Sequence, residues 1–99
     1  MMREIPRCTA RVAPLTVRPM PKFVLLHHHE PRQCRTAYAA WSGFDSPLRH
    51  RQTLASCADG GHQIYWIVTA ADEQAALAQL PQWLVERTKA TEVREVGIP

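Results

Sequence analysis

Residues 23–30 read FVLLHHHE, an apolar run that passes without a break into three histidines and a carboxylate. Consecutive apolar residues with no polar alternation suit a strand covered on both faces. Side chains alternate across a strand, so His27 and His29 share a face with Phe23 and Leu25, while His28 and Glu30 share the other with Val24 and Leu26. Imidazoles at the end of such a strand serve as ligands, as acid/base groups or as hydrogen-bonded core residues.

Downstream, Pro31 can open a helix whose apolar set Cys34, Ala37, Tyr38 and Trp41 follows one helical face, with Gly43 as its stop. On this spacing Cys34 reads as a core residue, and Tyr38, Trp41, Tyr65, Trp66 and Trp83 read mostly as core. A second strand is predicted over residues 52–57, and Asp59-Gly60-Gly61 supplies the permissive backbone of a hairpin. The third strand, residues 62–69, is apolar on both parities and needs a cover on both faces. Asp72 and Glu73 open a second helix with Leu77, Leu80 and Leu84 as its buried stripe, and Pro81 implies a kink or a fresh start. A last strand is predicted over residues 91–98.

This order predicts an α+β fold, a ferredoxin-like βαββαβ arrangement of a four-stranded antiparallel sheet with two helices on one face. Helices then cover one side of the sheet, and a second copy of the chain is the simplest cover for the other. The expected assembly is a homodimer or higher homo-oligomer.

Upstream, residues 1–20 read as a leader, disordered or not native to the functional chain, ahead of one domain at 21–99. Arg3, Arg7, Arg11 and Arg18 face only Glu4 there, which accounts for the whole formal charge of +3, so the domain itself is neutral. Proline is frequent and no apolar period appears. No apolar run approaches the roughly 20 residues of a membrane span. Cys8, Cys34 and Cys57 form no CxxC pair, which argues against a disulfide framework and for a reducing cytoplasm.

The segments FVLLHHHEPR, FDSPLRHR and SCADGGHQIYW and the closing VREVGIP resemble a group of small bacterial proteins of unknown function. The layout is similar to the dimeric α/β-barrel superfamily, which includes muconolactone-isomerase-like proteins and small monooxygenases. That resemblance implies a fold and a self-association mode and assigns no catalytic residue, because the scaffold carries unrelated chemistries.

Two groups of residues carry candidate chemistry. His27, His29, Cys57 and His62 are the candidate ligands of a transition metal such as zinc, since a hairpin loop at 58–61 sets Cys57 opposite His62 and the first strand lies beside the third. Arg49, His50 and Arg51 form a basic loop suited to a carboxylate or phosphate, with Trp66 as a lining aromatic. His28 and Glu30 are assigned to ligand binding too, Glu30 as the group that orients a histidine. The RNA-recognition motif shares this strand order, but residues 60–68, GGHQIYWIV, lack its aromatic signature, so no nucleic-acid partner is expected. The expected function is a small cytoplasmic ligand- or metal-binding protein. A cofactor-free, isomerase-like enzyme with a histidine base, and a structural or regulatory oligomerisation domain, are the alternatives.

Overall fold

In the computed structural model, which describes residues 20–99, β1 (Lys22–His28) pairs antiparallel with β3 (Gln63–Thr69) on one side and β4 (Thr88–Val93) on the other. A two-residue β2 (Leu54–Ala55) joins the outer edge of β3, giving the order β2-β3-β1-β4 in an open antiparallel sheet. Residues 1–19, which hold Cys8 and nearly all of the expected leader, lie outside the described residues.

Alternation decides which face is covered. Phe23, Leu25 and His27 of β1 and Ile64, Trp66 and Val68 of β3 are buried, whereas Val24 and Leu26 are half-buried and Ile67 is 71% exposed. Short helices supply the cover. A 3-10 turn (Pro31–Gln33) leads into α1 (Cys34–Ala39), and α2 (Glu73–Leu77) and α3 (Gln82–Val85) follow β3. Ala37, Ala76 and Leu84, one from each helix, join the strand residues in a single core. The apolar partners therefore all lie on one side of the sheet, and among the described residues no helix covers the side bearing Ile67 and the 75% exposed Leu54.

Three expectations need correction, and the break expected at Pro81 takes the form of a fresh helical start. The second helix is two helices, because Pro81 has no N–H to continue α2 and instead caps α3, its carbonyl accepting from the N–H groups of Leu84 and Val85. The second strand is only Leu54–Ala55, since the chain turns into a 3-10 segment (Cys57–Asp59) soon after it. The last strand begins at Thr88, not 91, and stops at Val93, opposite Lys22, because β1 offers no backbone partner beyond that residue. Val96 and Ile98 are accordingly exposed. Tyr38 is 55% exposed rather than core, while Trp66 is buried as expected.

Asp72 shows how the sequence starts α2. Its extended backbone precedes the helix and its Oδ1 accepts from the Ala75 N–H at 2.8 Å. Asp72→Ala is expected to lower stability by about 1 kcal/mol, read as a reduced urea midpoint at unchanged slope. Among the described residues, no helix is long and apolar enough to cross a membrane.

Candidate metal centre

The β1–β3 pairing runs one step past β1, where the His29 N–H donates to the His62 carbonyl at 3.1 Å. Two histidines thus stand side by side at one end of the sheet. From His29 the chain makes the 3-10 turn Pro31–Gln33 and reaches Cys34 at the start of α1. From Cys57 a second 3-10 turn, Cys57–Asp59, leads to His62. In sequence the two turns read H-x4-C and C-x4-H.

Side-chain contacts cross between the turns. Cys34 Sγ is 3.1 Å from His62 Nδ1, and Cys57 Sγ is 3.6 Å from His29 Nε2. One ligand atom from each of the four residues lies within 4.8 Å of all the others. Tetrahedral zinc, with sulfur at ~2.3 Å and nitrogen at ~2.0–2.1 Å, holds neighbouring S and N atoms about 3.6 Å apart, so a small adjustment of side chains suffices. The hairpin backbone is special at the same place. Gly60 has φ 88° and His62 has φ 52°, a left-handed conformation that is uncommon without glycine. A Cβ on Gly61 would press into the Ser56 side chain, whose Oγ accepts from the Gln63 N–H.

Behind this cluster sits His27, fully buried between Trp66 and Trp83. Its hydrogen bonds order the protons. Thr88 Oγ1 donates to the Leu84 carbonyl at 2.6 Å, so toward His27 Nδ1, 3.3 Å away, it accepts. His27 Nδ1 therefore carries the hydrogen and Nε2 is bare, ready to accept from His29 Nδ1 at 3.0 Å. The hydrogen of His29 is thereby placed on Nδ1, which leaves the Nε2 lone pair facing Cys57. A ligating histidine is usually held by a partner on its other nitrogen, and His27 fills that position.

Burial, reinforced by neighbouring imidazoles, lowers the pKa of both: to about 4 for His27, and below the usual histidine value for His29. Burial and the adjacent Cys57 raise the Cys34 thiol above its ordinary value. Without a cation His29 and Cys34 are thus held toward their neutral forms, and a divalent ion would reverse the balance at Cys34 by favouring thiolate. For the metal-free chain the sign of the pH effect follows. An unfolded His27 binds a proton below pH 6.5 and the folded one does not until about pH 4, so unfolding takes up a proton in that window and stability falls with acidification. The loss is expected to reach on the order of 3 kcal/mol near pH 4. Melting scans in EDTA should show a shallower pH slope for His27→Gln; an unchanged slope would contradict the assignment.

The structure unites His29, Cys57 and His62 of the expected ligand set and sets His27 one residue behind, at His29 rather than at the thiols. Cys34 takes the fourth position. Arg49, His50 and Arg51 come together with Trp66, but around a separate cavity. His28 is exposed on the helix-free face, and Glu30 is exposed at the entry to the 3-10 turn, where its N–H donates to Gln33 Oε1 at 2.9 Å. Glu30 thus shapes the His29–Cys34 turn through its backbone. Helical spacing had assigned Cys34 to the core, and only the mirrored spacing of the two histidine–cysteine pairs marks it in the sequence.

Comparison with protein-family models, curated proteins and solved structures finds no match.

Proposed function

We propose that this chain is a small zinc-binding protein whose His29, Cys34, Cys57 and His62 close a tetrahedral site. The observation that carries the reading is the convergence of four ligand atoms within 4.8 Å from two turns and two strand ends. Two thiolates and two imidazoles match the preference of zinc for nitrogen and sulfur, and four protein ligands describe a closed, structural type of site rather than one with an open catalytic position. The imidazoles of the cluster face thiols, which supports metal binding over a histidine base. Thiols reserved for a metal belong in a reducing compartment, which supports a cytoplasmic setting.

The strand order read from the β4 edge is 4-1-3-2, and with helices on one face this supports the ferredoxin-like description. The other face carries Val24, Leu26, Tyr65, Ile67 and Leu54 in register. A second copy packing there would bury this apolar patch, in keeping with a homodimer. Sedimentation at micromolar concentration is expected to find a dimer or larger species, and Ile67→Lys should produce monomer with unchanged metal stoichiometry.

Cobalt(II) titration tests the metal reading. One equivalent per chain should give the intense visible bands of tetrahedral coordination with thiolate charge transfer, and zinc should displace it. A weak, octahedral-type spectrum, or no uptake, would overturn the proposal.

A further inference from the structure

A cavity of about 400 Å³ lies between the end of α1, the loop 47–51 and the β2–β3 edge. Its size falls within the range of small-ligand sites. The floor is aromatic: Trp41 and Trp66 stand at 5.9 Å between ring centroids with a 56° tilt. The rim is basic, with Arg49, His50 and Arg51 and no carboxylate in the lining. Among the described residues neither arginine is in an ion pair.

The loop that brings these side chains together is specifically held. Arg49 Nη1 donates to the Phe44 carbonyl at 3.1 Å, and Ser46 Oγ ties the turn to the rest of the fold by donating to the Gln79 carbonyl at 2.7 Å. His50 has φ 62°, and His62 of the metal cluster is the other described non-glycine residue in the left-handed region. Such conformations cost energy and concentrate at functional sites.

We infer that this cavity binds a small organic anion, with a flat apolar body on the Trp41–Trp66 floor and a carboxylate or phosphate at Arg49 and Arg51. Apolar area supplies the affinity and the guanidiniums, neither in an ion pair among the described residues, supply the selectivity, since arginine meets such groups with two parallel hydrogen bonds. The site is separate from the metal centre. Tyr38 borders both, its ring in the cavity wall and its hydroxyl 3.9 Å from Cys57 Sγ.

The test uses the full chain with zinc bound, probed with 2-naphthoate and its neutral analogue 2-naphthamide by tryptophan fluorescence and calorimetry. Naphthoate is expected to bind about tenfold more tightly than the amide, with Arg51→Gln cutting the difference to about threefold, the part left to Arg49. Arg49→Lys, which keeps the charge but loses the fork and its bond to the Phe44 carbonyl, should weaken naphthoate by a smaller factor. Equal affinity for acid and amide, absence of binding, or full affinity in Arg51→Gln overturns the inference. Because neither variant touches a metal ligand, failure here leaves cobalt binding intact and is distinguishable from failure of the zinc reading.

Discussion

Cys34→Ser is expected to weaken zinc binding by about a hundredfold, because a four-ligand structural site contributes about 10–16 kcal/mol, or on the order of 3 kcal/mol per ligand. His29→Gln should do the same through loss of the Nε2 lone pair. The informative comparison is His28→Gln. That residue belongs to the same histidine run but is exposed on the other face of the sheet, so its replacement should leave affinity unchanged. Competition against a chromophoric chelator measures all three. Equal losses at His28 and His29 would mean that the run binds metal as a loose tract, and an unaffected Cys34→Ser would remove that thiol from the site.

Leu25→Ala should be the most damaging substitution in the core, costing about 3–4 kcal/mol. Leu25 is wholly buried at the centre of β1, between Trp66 on β3 and Ala90 on β4. A domain of this size has a total stability of roughly 4–12 kcal/mol, so in EDTA the variant should lose a quarter or more of it. Urea denaturation with and without zinc separates the contributions. A metal that binds only the folded state restores part of the loss by mass action. A shift smaller than that of Asp72→Ala would contradict the packing described for β1.

The residues that were legible in the sequence are those governed by short-range alternation. Parity alone set Phe23, Leu25, His27 and His29 on one face, and all four are buried together. The Leu54–Tyr65 and Ala55–Ile64 pairs keep the register that a loop at 58–61 implied, but the ladder stops there and Cys57 lies in a 3-10 turn. Cys34 was not legible as a ligand. A helix starting at Pro31 makes it one member of a buried stripe with Ala37, Tyr38 and Trp41, but a 3-10 turn delays the helix to Cys34 and brings the thiol to the end of the sheet. Such a turn is a tertiary outcome with little mark in local propensity. The early start of β4 was hidden for a similar reason: Thr88 and Lys89 carry no strand pattern, and their pairing follows from the length of β1.

The four ligands do not share one kind of backbone support. His29 is anchored by an amide that bridges strands, whereas Cys34 and the Cys57–Asp59 turn rest on contacts made within three residues, such as Cys34 N–H to the Pro31 carbonyl and Gly60 N–H to the Cys57 carbonyl. Bonds of the second kind open in small local fluctuations, while ladder bonds open with the sheet. In hydrogen–deuterium exchange the His29 amide should stay protected with or without zinc, and the amides of the two turns should gain protection only when zinc is present. An ion held as proposed would therefore have a preferred exit. It would leave by the thiol side while both imidazoles hold on, so a competing thiol carrier would take over the vacated positions one at a time, and the rate of zinc transfer should rise with carrier concentration instead of being limited by unfolding.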